Sequence, residues 1–263
     1  MKIAHLTDTH LNFFVPEVTP KVVIPAVMEH RPDAVLITGD ISDAHRLFID
    51  LEELERLPVP LFFVAGNHDF YGSSMADVRR RLDKHAGYLT ARSFVELTPR
   101  TALVGHDGWY DGEHGNWHRA VLMNDWFMIE EFRGLTADKI RNRCRVLAEA
   151  AARRVRDSAE AAAVAGYETV VIATHVPPFA ECSRGPGGTP ADPQWLPVMT
   201  SAAMGRALMS LARCYPGTRF DVRCGHTHTA WAHSPMANLA VNVGGACHRY
   251  RDCIASLTTF DVS

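Results

Sequence analysis

Four short, largely apolar runs constrain this chain more than any other feature: 2–7 (KIAHLT), 34–38 (AVLIT), 61–65 (LFFVA) and 169–174 (TVVIAT). A strand with one wet face alternates apolar with polar residues. A strand that stays apolar is buried on both faces, as in a parallel sheet covered by helices. Helical patterns over 22–30, 45–56 and 73–86 separate the first runs, so this part reads as βαβ units. A further strand at 101–105 leads into a glycine-rich aromatic stretch, 109–117 (WYDGEHGNW). A long helix is predicted over 137–165, with an apolar seam of Ile140, Cys144, Leu147, Ala151, Val155, Ala159 and Ala162. Its opposite side carries Lys139, Arg141, Arg143, Arg145, Arg153, Arg154 and Arg156, read as a solvated face. Residues 176–197, rich in proline and glycine, read as a loop, either a lid or simply a long connection, and 200–213 as a helix. Short strands at 220–224, 229–233, 239–243 and 254–260 resemble a β-meander. No linker or internal repeat divides the chain, so residues 1–263 are expected to form one domain, an α/β sandwich.

The apolar runs end in a common punctuation. After them come Asp8-Thr9-His10, Gly39-Asp40 with Asp43, Gly66-Asn67-His68-Asp69, His175, and Gly225-His226-Thr227-His228. In open α/β sheets the carboxyl ends of the strands share one edge, where ligands bind. Segments remote in sequence thus deliver Asp, Asn and His to one place. That set suits divalent ions of borderline hardness, and Asp8, His10, Asp40, Asn67, His175, His226 and His228 are more ligands than one ion takes. Two ions sharing a carboxylate would use them all, the arrangement that clamps a phosphoryl group during hydrolysis. The glycines before Asp40, Asn67 and His226 would let the backbone approach the centre closely.

Composition excludes several other classes. The 263 residues include 27 basic and 30 acidic ones, a net charge of −3, which leaves no global field to hold a polyanion. The cysteines, Cys144, Cys182, Cys214, Cys224, Cys247 and Cys253, show no CxxC spacing and read as scattered reduced thiols. The first residues, MKIAHLTDTH, are not a signal peptide, and no apolar run is long enough for a membrane span. A cytoplasmic protein is expected.

The motifs DTH, GDISD, GNHD, a lone His175 and GHTH, in that order, resemble the calcineurin-like metallophosphoesterase superfamily over Asp8 to His228. The resemblance implies a four-layer α-β-β-α sandwich. It implies that Asp8, His10 and His228 hold one metal, that Asn67, His175 and His226 hold the other, and that Asp40 bridges them. The cofactors would be two divalent or mixed-valence ions, with Mn, Fe or Zn foremost. A metal-activated hydroxide would attack, His68 would protonate the leaving oxygen as general acid, and Asp43 would orient His68. Asp69 is read as a cap of the following turn.

Departures narrow the branch. Asp43 stands where purple acid phosphatases have tyrosine; Ala44-His45 follow it where protein Ser/Thr phosphatases carry an arginine; and His68 replaces the arginine of the lipid-precursor pyrophosphatases. What remains resembles bacterial cyclic-nucleotide and glycerophosphodiester phosphodiesterases. A small-molecule phosphodiester is therefore the expected substrate. Monoester hydrolysis, a nuclease and a non-catalytic scaffold stay open as alternatives, and the oligomeric state is not encoded in any feature. Trp109, Tyr110, His114, Trp117 and His118 either stack on a substrate ring or pack a surface loop. His45, His233 and His248 are read as ordinary residues, His45 with a second reading as a substrate contact.

Overall fold

A computed structural model describes residues 1–246 and 252–263; Cys247 and His248 lie outside the described residues. The strands are β1 (Lys2–Leu6), β2 (Ala34–Thr38), β3 (Leu61–Val64), β4 (Val95–Thr98), β5 (Thr101–His106), β6 (Thr169–Thr174), β7 (Arg219–Cys224), β8 (Trp231–Met236), β9 (Leu239–Val243) and β10 (Thr258–Asp261). They form two sheets, ordered β10-β1-β2-β3 and β4-β5-β6-β7-β9-β8. The helices are α1 (Ile24–Glu29), α2 (Leu47–Leu54), α3 (Met75–Leu82), α4 (Asp125–Met128), α5 (Ala137–Val164), α6 (Leu196–Met199) and α7 (Ala202–Cys214).

The strands stay apolar because each face meets a different layer. On β2, Ala34 and Leu36 pack with Leu103 of β5 and with Val171 and Ala173 of β6, between the two sheets. Val35 and Ile37 belong instead to the larger cluster with Val23, Val27, Leu47 and Leu51, on the helix side. The second sheet is covered by α5, against β5 and β6, and by α7, against β8 and β9. The order helix, sheet, sheet, helix is the four-layer α-β-β-α sandwich expected from the sequence. Within it β1, β2 and β3 run parallel, as do β5, β6, β7 and β9, so the carboxyl ends of each set meet at one rim. Asp107, just past β5, ties the sheets together at that rim. It accepts from Ala65 N at 2.9 Å, Arg79 Nε at 2.9 Å and the Tyr88 hydroxyl. Burial opposes its ionisation, but the Arg79 charge prevails and holds the carboxyl below its usual range.

The meander is corrected. On β7, Phe220, Val222 and Cys224 bury one face, and the strand lies inside the sheet with parallel neighbours on both sides, β6 and β9. The exposed, alternating β8 lies at the edge and folds back antiparallel on β9, while β10 crosses to the other sheet and pairs antiparallel with β1. Along α5 the predicted seam is buried except Leu147, which is half-buried beside a fully buried Ala148. Four residues on from Cys144, Ala148 falls at the centre of the stripe and Leu147 at its margin. The basic residues of α5 face solvent, Arg145 and Arg156 beside Glu149 and Asp157 of the same helix, except Arg141, which is half-buried and donates to the Gly112 carbonyl at 3.3 Å. Among the described residues no helix is long and apolar enough to cross a membrane.

Candidate dimetal centre

The loops after β1, β2, β3, β6 and β7 meet at the rim. Asp8 N and His10 N donate to the carbonyls of Gly39 and Asp40, both at 3.0 Å, which binds the first loop to the second. Gly225 N donates to the His175 carbonyl at 2.9 Å, which binds β7's loop to β6's. Side chains join the two sheets: the Asp8 carboxylate accepts from His226 N at 3.1 Å, and His175 Nδ1 donates to the Thr38 carbonyl at 2.8 Å. Asp8, His10, Asp40, His226 and His228 all have φ between +45° and +70°. Among the described residues Arg31 is the only other non-glycine with positive φ. Each such backbone costs about 1 kcal/mol or more and persists only where surrounding contacts impose it. Gly66 and Gly225 are required by proximity. A Cβ on Gly66 would overlap Asp40 Oδ1, and one on Gly225 would overlap the Thr7 hydroxyl and Asp8 Oδ2.

Two groups of donor atoms result, each within 4.8 Å of one another: Asp8, His10, Asp40 and His228, and Asp40, His175 and His226. Asp40 belongs to both, with Oδ2 at 3.8 Å from His10 Nε2 and Oδ1 at 3.3 Å from His175 Nε2. In the first group His228 Nε2 lies 3.3 Å from Asp8 Oδ1 and 3.3 Å from His10 Nε2. In the second, Asn67 Oδ1 lies 3.1 Å and His226 Nδ1 3.2 Å from His175 Nε2. Atoms about 2.0–2.2 Å from a shared ion stand roughly 3–4 Å apart, as these do.

The chemistry of the donors fits metal as well as the spacing does. His175 Nδ1 and His226 Nε2 spend their protons on the carbonyls of Thr38 and Val198, the latter at 2.9 Å. Their other nitrogens, with Asp40 Oδ1 and Asn67 Oδ1, then form a cluster of lone pairs facing one another. Only a cation or an added proton relieves that. Burial disfavours a charged His175, but the Asp40 and Asp8 carboxylates outweigh it and push the ring up to about 10. Burial pushes His10 down to about 3 and His226 to about 4, leaving both neutral and able to ligate. Burial also opposes the charges on Asp8 and Asp40; His228 beside the first and His175 and His68 beside the second reverse this and hold both below the usual carboxylate range.

Residues 1–230 match the model of the calcineurin-like phosphoesterase family. The chain belongs to that family. As a calcineurin-like phosphoesterase it is a metal-dependent phosphoester hydrolase with a candidate dimetal centre. Its fold is similar to a dimetal phosphatase from Danio rerio, at 15% identity and TM-score 0.55 over 98% of this chain and 91% of that one. It is also similar to the Thermus thermophilus protein TT1561, at 12% identity and TM-score 0.55 over 99% and 98%. A third neighbour is GAP50, the anchor in the inner membrane complex of Plasmodium, at 12% identity and TM-score 0.51 over 93% and 71%. No curated protein matches in sequence.

The phosphoesterase centre rests on residues that the motifs did not disclose. Buried Asp125 accepts from Asn67 Nδ2 at 2.9 Å and from the hydroxyls of Tyr71 at 2.6 Å and Tyr110 at 2.8 Å. That network turns the Asn67 amide oxygen toward His175. Partners that orient a ligand are typically worth about 10–100-fold in metal affinity. Asp125→Ala is expected to weaken the Asn67/His175/His226 side by about that factor in a chelator competition; unchanged affinity would remove Asp125 from this role. Asp69 is not a cap of the following turn. Its carboxylate accepts from Ser42 N at 2.9 Å and Gly66 N at 2.7 Å, clamping the β2 loop to the β3 loop.

His68 lies outside both ligand groups. Its backbone N donates to Asp40 Oδ1 at 2.8 Å, and its ring stacks on Tyr71 with centroids 4.3 Å apart. Asp43 Oδ1 accepts from Arg46 N at 3.1 Å, and among the described residues no hydrogen bond joins it to His68. His68 faces a cleft of about 620 Å³, walled on one side by Asp40, Asn67, His226 and His228 and on the other by residues 183–199.

The aromatic stretch packs the core instead of lining that cleft. Trp109, Tyr110 and Trp117 are buried, with Trp109 stacked on Phe132 and Trp117 against Trp126. His114 Nδ1 meets the Thr200 hydroxyl, and His118 is exposed. The cleft's exposed ring is Trp195, from the proline-rich connection. His45 is exposed, its ring against Gly72, and His233 packs edge-on to Phe179.

Proposed function

We propose that this phosphoesterase hydrolyses small phosphodiesters. The observation that carries the reading is Asp40, shared by the two ligand groups with one oxygen toward each, at the floor of a cleft that His68 faces. Asp8, His10, Asp40 and His228 would hold one ion, and Asp40, Asn67, His175 and His226 the other. The mixed nitrogen and oxygen donors suit Mn, Fe or Zn. Bound there, two ions supply Lewis acidity to the phosphoryl oxygens and a water acidic enough to attack near neutral pH.

The chain's own residues do the rest. His68 holds a proton at the cleft wall for the leaving oxygen, its ring plane set by Tyr71. One oxygen of Asp43 caps the turn at Arg46 N; the other would orient the His68 ring once substrate is bound. A diester needs room on both sides of phosphorus, and the cleft of about 620 Å³ gives it. The sequence departures around Asp43 and His68 support the same preference over monoesters. The expected result is faster hydrolysis of bis(p-nitrophenyl) phosphate than of p-nitrophenyl phosphate, in excess Mn²⁺ after chelator treatment. A faster monoester reaction would overturn the diester assignment.

A further inference from the structure

The cleft holds one feature that the dimetal chemistry leaves unused. Residues 183–191 form a tight hairpin over the centre: Gly185 N donates to the Thr189 carbonyl at 2.8 Å, Ala191 N to the Ser183 carbonyl at 3.2 Å, and Arg184 bridges Pro190. Arg184 is the one lysine or arginine that lines the cleft among the described residues. Its guanidinium lies over the Trp231 ring at 4.3 Å, and its Nε donates to the Glu181 carbonyl at 2.8 Å. Among the described residues it forms no ion pair, and its two terminal amino groups donate to nothing. The guanidinium of a half-buried arginine that lines a cleft, held by its edge and its face with its fork unpaired, is preorganised for a planar or tetrahedral anion.

The reacting phosphoryl group already has its counter-charges in the dimetal centre and His68. We infer that Arg184 binds a second anionic group, so that the natural substrate is a small phosphoester carrying a carboxylate or a further phosphate. The inference rests on the phosphoesterase reading of the same centre. Met123, Trp195 and Met199 give the cleft an apolar wall, which suits a flat or apolar body joining the two anionic ends.

The test uses the Mn-loaded full chain and two matched pairs of probes. The first is methyl 4-carboxyphenyl phosphate against its neutral isostere, methyl 4-carbamoylphenyl phosphate, scored as the ratio of kcat/KM. The second is the monomethyl esters of 4-carboxybenzylphosphonate and 4-carbamoylbenzylphosphonate, scored as the ratio of Kd by calorimetry. A charge-assisted forked contact predicts a preference of about ten- to a hundredfold for the carboxylate in both pairs. Arg184→Gln is expected to bring both ratios to about one, and Arg184→Lys, which keeps the charge and loses the fork, to an intermediate value.

Ratios near one in the wild type, or ratios that survive Arg184→Gln, overturn the inference while turnover itself leaves the phosphodiesterase reading standing. An Arg184-dependent preference in the phosphonate pair without turnover of either diester overturns the phosphodiesterase reading and leaves the anion contact standing.

Discussion

Asp40→Ala is expected to strip most of the bound metal and to lower kcat/KM by about four powers of ten. The magnitude follows from its place in both ligand groups. Metal polarisation of a phosphoryl oxygen is worth several kcal/mol, and about 1.4 kcal/mol is a factor of ten. Removing a ligand from only one group would leave the other intact, so His10→Ala should cost less metal than Asp40→Ala. Asp40 Oδ1 also takes the His68 backbone N–H, so part of the loss is positional. Asp40→Asn separates the two effects: it keeps an acceptor for that N–H and removes the charge. The fold should survive in each variant, as near-native circular dichroism would show. Full metal content and full rate in Asp40→Ala would remove the shared carboxylate from the account.

His68→Ala is expected to behave differently. The residue lies outside both ligand groups, so metal content should stay while the rate falls by about 10²–10⁴, the range of a lost general acid. The loss should depend on the leaving group. A p-nitrophenolate departs with little help, so its diester should suffer less than an alkyl ester, whose alkoxide needs the proton. Equal losses on both esters, measured at saturating Mn²⁺, would argue that the His68 ring positions the phosphoryl group and gives no proton.

How much of this could be read from the sequence depends on where the information sits. Each ligand follows a strand whose apolar run is obvious, and most are flagged by a glycine or a histidine within three residues, as in Gly66-Asn67-His68 and Gly225-His226-Thr227-His228, while His175 stands alone after its strand. Those signals are local. The supporting atoms are not. Asp125 is 58 residues from the Asn67 it orients, and the groups that set the tautomers of His175 and His226 are backbone carbonyls, Thr38 and Val198, which no side chain announces. Tyr71 was within reach, because it sits four residues after Asn67 and a helical turn brings such positions together. The aromatic stretch misled because glycines suggest an exposed loop. Trp109 and Tyr110 instead fill the space under α5 beside Phe132 and Cys144. Strand pairing in the last third failed for a similar reason: a short apolar run shows that a strand exists, but its neighbours are set by long-range contacts, as where β7 pairs with β6 and β9.

The most direct test of the shared centre is metal content. The chain would be stripped with chelator, reloaded with excess Mn²⁺, desalted and measured by inductively coupled plasma mass spectrometry, with Asp40→Ala treated alongside. The account predicts two ions per wild-type chain and fewer than one in Asp40→Ala. A wild type that retains one ion, or an Asp40→Ala chain that retains two, would contradict it.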